Sequence, residues 1–194
     1  MEEDEIYIAT KIFLAKKGWS MLAGQPPNGC NHLPVVEIKL PGRQGIGSRG
    51  AYKPDLIAAK QNVFLLIECK PAYNQGDADK LNTILESTDR IDALFAELTQ
   101  RHIFERHKIA VSRSVFGENT LGALAYGKLL GQETDSSILV RDPGATSGFY
   151  SNIKTGSNIA NNKIVEIQIS KPYDNSELKS PQDLPAHFKN IFKP

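Results

Sequence analysis

Two apolar stretches of the chain are bounded by residues whose types and spacing could support hydrolytic chemistry. Asp55 stands at the start of the first stretch, and Glu68 and Lys70 stand at the end of the second. Because side chains alternate between the two faces of a strand, Glu68 and Lys70 share one face, while Ile67 and Cys69 point into the core. A hairpin between the two stretches would place Asp55 beside this pair.

Two carboxylates and an ammonium group at one end of a sheet suit metal-assisted hydrolysis of a phosphodiester. Mg²⁺ takes oxygen ligands and keeps several waters. The ion polarises the phosphoryl oxygen and lowers the pKa of a bound water. A lysine can orient or deprotonate that water and offset the charge that builds on phosphorus. The alternative is an ordinary Glu68–Lys70 ion pair, but desolvating charges at the end of the most apolar strand is expensive without a use.

The elements that must position these residues follow from hydrophobic periodicity and turn residues. The predicted hairpin pairs residues 55–59 with residues 63–70 through the short polar link Lys60-Gln61-Asn62. Helical patterns cover residues 2–17, 77–106, 120–130 and 183–192. Further strands are predicted over residues 19–23, 35–40, 108–116, 138–140 and 163–170. This order predicts one mixed α/β domain over residues 1–194.

The motif Pro54-Asp55, followed after a gap by Glu68-Cys69-Lys70, resembles that of the PD-(D/E)XK nucleases, which include many restriction endonucleases. The resemblance covers about residues 2–116 and implies a restriction endonuclease-like mixed central sheet flanked by helices. It implies that Asp55, Glu68 and the main-chain carbonyl of Cys69 bind Mg²⁺ or Mn²⁺, and that Lys70 positions the attacking water. The implied reaction is hydrolysis of double-stranded DNA that leaves a 5′-phosphate.

Many members of this superfamily also place a glutamate of the first helix close to the metal. Glu5 is the first candidate for this catalytic role and Glu2 the second. Helical spacing puts Glu5 on the same side as Ala9 and Ile12, so it is predicted to point inward. The alternative is a solvated acid that favours the helix dipole.

The stretch after the motif and the glycine-rich loop before it offer supporting residues. Asp77 and Lys80 either support the site and face the substrate, or Asp77 simply caps a helix. In the loop of residues 41–53, Arg43, Arg49 and Lys53 are candidates for contacts with nucleic-acid phosphates, and a flexible exposed loop is the alternative.

Residues 45–50 of that loop match the glycine pattern G-x-G-x-x-G of dinucleotide-binding proteins. A strand rather than a helix is predicted to follow, which excludes that class because the pyrophosphate needs a helix N-terminus. The two cysteines, Cys30 and Cys69, have no spacing typical of a zinc site and are predicted to be reduced thiols.

Composition bounds the class of protein. The chain has 194 residues, is 40% hydrophobic and 23% charged, and carries a net charge of +1. An acidic start and the lack of a long apolar run predict a cytoplasmic protein without membrane contact. Near-neutral charge is unusual for a protein that binds DNA alone.

The chain is also similar in size and layout to the small catalytic subunits of heterodimeric type IIS restriction endonucleases. That resemblance implies a larger partner that recognises the sequence, while this chain cuts one strand.

A second class of function also fits the residues. A non-catalytic subunit with a nuclease fold, serving DNA binding or assembly, would be equally compatible with the near-neutral charge. The intact set of Asp55, Glu68 and Lys70 favours the enzyme.

Overall fold

The computed structural model describes residues 1–26, 32–39, 50–127, 137–140, 148–149 and 164–169. The helices in this part of the chain are α1 Glu3–Lys16, α2 Gln75–Leu85, α3 Thr88–Gln100, α4 Ile103–Arg106 and α5 Arg113–Glu118. The strands are β1 Ser20–Gly24, β2 Leu56–Lys60, β3 Val63–Lys70, β4 Thr120–Gly127, β5 Ser137–Val140, β6 Gly148–Phe149 and β7 Ile164–Ile169.

The strands form one mixed sheet in the order β1-β2-β3-β4-β7-β5-β6. The three central strands, β3, β4 and β7, run parallel, and antiparallel pairs extend the sheet on both sides. Helices cover both faces, since α1 packs on one side and the other four helices on the opposite side. The predicted α/β class with a mixed sheet flanked by helices is confirmed, and the restriction endonuclease-like fold stays a prediction.

The alternation of side chains along β3 produces two separate hydrophobic cores. Leu65, Ile67 and Cys69 face α1, whereas Phe64 and Leu66 face α2 and α3. Every residue of β3 before Lys70 is buried, as expected for a central strand with helices on both faces. Glu68 and Lys70 continue the alternation of Phe64 and Leu66, so both belong to the face covered by α2.

The predicted hairpin is present and its register brings the motif together. Leu56 pairs with Ile67 and Lys60 pairs with Val63 in an antiparallel ladder. One step beyond this register, Asp55 lies opposite Glu68. The tight link is made possible by Gln61, which adopts a positive φ of 55°.

Two predictions about the stretch after the long helices are wrong. Residues 120–130 were expected to be helical, but Thr120–Gly127 forms the central strand β4. Residues 108–116 were expected to form a strand, yet α5 begins at Arg113, because the Ser112 side chain caps it by accepting a hydrogen bond from the amide of Val115.

The prediction of a strand over residues 35–40 is wrong for the part that the structure describes. Only Ile38 makes a ladder contact there, as an isolated antiparallel bridge with Tyr52. Val36 and Ile38 are nevertheless buried, as their alternation predicts. The predicted helix over residues 183–192 lies outside the described residues. No described helix combines the length and the apolar character that crossing a membrane requires.

Candidate functional site at the end of the hairpin

Asp55 lies immediately before β2 and is held against β3 by its own side chain. Its Oδ2 accepts a hydrogen bond of 2.8 Å from the main-chain amide of Cys69. Burial raises the pKa of Asp55, and this hydrogen bond and the charges of Lys70 and Lys80 oppose the increase. The carboxylate is therefore fixed beside residues 68–70, where the sequence places it.

Glu68 is an ionisable side chain that is almost completely buried, with 2% of its surface exposed. Its Oε1 lies 2.7 Å from Nζ of Lys80 on α2. Burial raises the pKa of Glu68 from 4.5 to about 7, the charge of Asp55 adds to the increase, and Lys80 opposes it. A proton and a cation therefore compete for this carboxylate near neutral pH.

Lys70 ends β3, and its ammonium group points toward the first helix. Nζ donates a hydrogen bond of 2.8 Å to Oε1 of Glu3. Partial burial lowers the pKa of Lys70, but the hydrogen bond with Glu3 and the charges of Asp55 and Asp77 outweigh it, so the net shift is upward. Lys70 is consequently protonated at neutral pH.

The first helix contributes Glu3 to this cluster rather than the predicted Glu5. Glu5 is exposed, and its Oε2 accepts the main-chain amide of Glu2, forming a capping box at the start of α1. The prediction that Glu5 points inward is therefore wrong, and Glu2 is likewise exposed at the N-cap. The capping pattern, an acid three residues before another acid, was the signal that could have assigned Glu5 to its own helix.

Helix α2 brings two charged residues to the same end of the sheet. Its N-cap is Asn74, whose side chain accepts the amide of Asp77, so the prediction that Asp77 caps this helix is wrong. The Oδ2 of Asp77 is buried and has no hydrogen-bond partner among the described residues. Lys80, one helical turn further on, reaches Glu68. The alternative that these residues support the site agrees with this placement.

Cys69 separates the two charged residues of β3 and faces the opposite core. Its thiol is fully buried beneath α1, and burial raises the pKa of Cys69 well above its usual value. The thiol is protonated at neutral pH and unsuited to be a nucleophile. Its main chain serves the site instead, because the amide orients Asp55.

Sequence reasoning found no role for a buried polar pair further along the same face. Glu166 on β7 is only 4% exposed, and Tyr126 on β4 donates a hydrogen bond to its Oε2. Register places Glu68, Leu124 and Glu166 in one row across the three parallel strands. The signal that could have identified this pair was Glu166 itself, a glutamate placed between apolar residues in a predicted strand.

The predicted nucleic-acid contacts are only partly within the described residues. Arg43 and Arg49 lie outside them. Lys53 is described, and its Nζ lies 2.8 Å from Oε1 of Glu37. A phosphate would therefore have to compete with Glu37 for this lysine.

The donor set of the hairpin end fits a hard divalent cation. Asp55 and Glu68 supply two carboxylates from adjacent strands, and burial makes a counter-charge for them favourable. Within the described part of the chain, no group of three or more histidine, cysteine, aspartate or glutamate side chains is arranged to hold a metal ion. Two carboxylates with waters completing the shell are typical of Mg²⁺ rather than of zinc.

Comparisons of the chain with protein-family models, with curated proteins and with solved structures found no match. Functional assignment therefore depends on the geometry of this cluster, which consists of Glu3, Asp55, Glu68, Lys70, Asp77 and Lys80 and is called the hairpin-end site below.

Proposed function

We propose that the chain is a metal-dependent nuclease of the PD-(D/E)XK type that hydrolyses phosphodiester bonds of DNA. The observation that carries this proposal is the convergence of Asp55, Glu68 and Lys70 at one end of an antiparallel hairpin. Asp55 is fixed by the amide of Cys69, and Lys70 by Glu3. Such fixed geometry is what hydrolysis at a bound phosphate needs, since a small misplacement of the reacting groups lowers the rate steeply.

The carboxylates of Asp55 and Glu68, with the main-chain carbonyl of Cys69, would hold Mg²⁺ or Mn²⁺. When bound, the ion supplies the polarisation of the phosphoryl oxygen and the activation of a water. Lys70, whose pKa is raised, keeps its proton at neutral pH. Its part is therefore to orient the water and offset charge on phosphorus, rather than to take the proton.

The proposal includes a larger partner that recognises the DNA sequence, as in heterodimeric type IIS restriction endonucleases. Two observations support it. The net charge of the chain is +1, whereas independent DNA binding usually requires a strong excess of positive charge. The described lysines Lys53, Lys70 and Lys80 are each paired with a glutamate of the chain itself. Affinity for DNA would then come largely from the partner.

A second candidate is a non-catalytic subunit that keeps the fold for assembly. The observation that favours it is that Glu68 and Lys70 already have intramolecular partners, Lys80 and Glu3. A cluster neutralised in this way would be stable without any metal or substrate.

Cleavage of supercoiled plasmid tests the two candidates. Wild type, Asp55→Asn and Lys70→Ala are compared with Mg²⁺, with EDTA, and with or without a partner encoded by a neighbouring gene. Lys17→Ala is the matched control, because Lys17 follows the far end of α1. We expect nicking or cutting only by wild type and the control, and only with metal. If wild type is as inert as Lys70→Ala in every mixture, the enzyme is excluded and the assembly role remains.

A further inference from the structure

Lys80 on α2 contacts Glu68, a residue proposed to bind the metal. Its Nζ lies 2.7 Å from Oε1 of Glu68, and the glutamate is 2% exposed while the lysine side chain is 26% exposed. Glu68 is thus enclosed by protein. The ammonium group that balances its charge belongs to Lys80 of α2, which is partly exposed to solvent. A divalent cation entering from solvent would meet the ammonium group at this carboxylate.

A single buried carboxylate is a poor simultaneous partner for an ammonium group and a divalent ion. Two cations within a few ångströms repel each other strongly where water is largely excluded. The divalent ion has the larger charge and gains Asp55 as a second ligand, so the ammonium group is the one that would leave.

The structure also contains an acceptor for the displaced ammonium group. Asp77 precedes Lys80 by three residues on α2, a spacing that puts both side chains on the same face of the helix. The Oδ2 of Asp77 is buried and has no hydrogen-bond partner among the described residues. Unsatisfied buried oxygens are rare in folded proteins, and this one lies near enough to Glu68 for the charge of Asp77 to act on that carboxyl, so it offers the displaced ammonium group an acceptor.

We infer that Lys80 is a positioning residue that neutralises Glu68 in the metal-free chain and transfers to Asp77 when a divalent cation binds. The inference rests on the proposed function only in that it takes Glu68 as a metal ligand. The lysine keeps the buried carboxylates neutralised before the metal arrives, and it sets the metal concentration at which the site fills. Its neighbour Lys70 is held by Glu3 and does not take part in this exchange.

Calorimetric titration of the full chain with Ca²⁺ tests the inference without requiring turnover. The buffer is set to about pH 8.5 so that a carboxyl of raised pKa is ionised in every variant. Lys80→Met keeps the length of the side chain and removes the competing charge, so we expect its Ca²⁺ dissociation constant to fall by about tenfold or more. Lys80→Arg retains the charge and should stay within about threefold of wild type. Lys17→Met, at the far end of α1, is the matched control and should not change.

The role of Asp77 is tested by a double-mutant cycle. Asp77→Asn removes the negative charge that would receive the ammonium group, so it should weaken Ca²⁺ binding more in the presence of Lys80 than in the Lys80→Met background. A coupling of about threefold or more is expected. Crystal structures with and without Ca²⁺ should show Nζ of Lys80 leaving Oε1 of Glu68.

The outcomes separate the inference from the proposed function. If Lys80→Met binds Ca²⁺ no more tightly than wild type, or if the cycle is additive, the displacement of Lys80 to Asp77 is wrong even when plasmid is cleaved. If the expected affinities are found but no mixture cleaves DNA, the inference stands and the nuclease is excluded. If wild type binds no Ca²⁺ at all, both are overturned.

Discussion

Glu68 is almost completely buried and lies close to the charges of Asp55, Asp77 and Lys80, so its protonation state is coupled to folding. Burial and the charge of Asp55 raise its pKa to about 7, so the folded chain holds a proton there that the unfolded chain, with a pKa near 4.5, has already lost. The folded state binds more protons between these two values. Stability from this group is therefore complete below pH 4.5 and declines as the pH rises toward 7.

We predict that this dependence disappears in Glu68→Gln. In EDTA, the free energy of unfolding of wild type relative to Glu68→Gln should fall by roughly 3 kcal/mol between acidic pH and about pH 8. Urea denaturation of both proteins at a series of pH values measures this difference. The contributions of other carboxylates to the pH dependence are the same in both proteins and cancel. Parallel curves for the two proteins would show that Glu68 does not titrate in this range.

The packing of strand β4 against helix α2 depends on a small residue in the strand. Gly122 lies between β3 and β7 on the face covered by α2. A Cβ at this position would come within 2.6 Å of Cδ1 of Ile164, 3.1 Å of Cβ of Leu81 and 3.3 Å of Cδ1 of Leu85. Glycine therefore lets α2 approach the sheet closely, and α2 carries Lys80 to Glu68.

We predict that Gly122→Ala lowers the free energy of unfolding by about 1–3 kcal/mol through overpacking. Ile164→Val removes the methyl group nearest the new Cβ and should be less destabilising in the Gly122→Ala background than in wild type. Denaturant titration of the two single variants and the double variant measures the coupling. Equal effects of Ile164→Val in both backgrounds would show that the contact with Ile164 does not limit packing.

These elements also show why the pattern of residues predicted some of the fold and missed the rest. The strand over residues 63–70 was predicted with its exact bounds because an uninterrupted apolar run ended by charges has few other interpretations. Residues 120–127 carry leucine and alanine at spacings that suit a helix, although glycine weakens one, and only their neighbours in the sheet decide for a strand. The helix at Arg113 was missed because the alternating apolar residues before it outweighed the serine cap.

At the scale of the whole molecule, the hairpin-end site joins three layers of the fold. Glu3 comes from the helix on one face, Asp55 and Glu68 from the sheet, and Lys80 from the helix on the other face. The motif on the hairpin was predictable because it is local in the sequence. The contributions of Glu3 and Lys80 depend on how α1 and α2 pack against the end of β3, which no local pattern specifies.

A site shared by three layers should couple metal binding to global stability. We predict that Mg²⁺ or Ca²⁺ at about ten to one hundred times its dissociation constant raises the free energy of unfolding by about 1.4–2.7 kcal/mol. Thermal unfolding followed by circular dichroism, with and without metal, measures this increase. Asp55→Asn should abolish the increase. An equal increase in that variant would place the bound metal elsewhere in the chain.

The clearest distinction at this scale is between two glutamates two residues apart on α1. Glu3 accepts a hydrogen bond from Lys70 at the end of β3, whereas Glu5 caps its own helix. We predict that Glu3→Gln lowers DNA cleavage by about tenfold or more, because a neutral amide holds the Lys70 ammonium group less tightly than a carboxylate does. Glu5→Gln should retain wild-type cleavage, since an amide oxygen still accepts the hydrogen bond from Glu2.

Single-turnover cleavage at saturating metal compares these two isosteric substitutions, with circular dichroism confirming that both chains are folded. Because Glu3 acts through Lys70, combining Glu3→Gln with Lys70→Ala should add no further loss beyond Lys70→Ala alone. If Glu5→Gln is the defective variant instead, then α1 moves by about half a turn when DNA or the partner binds, and the original sequence-based role of Glu5 is restored.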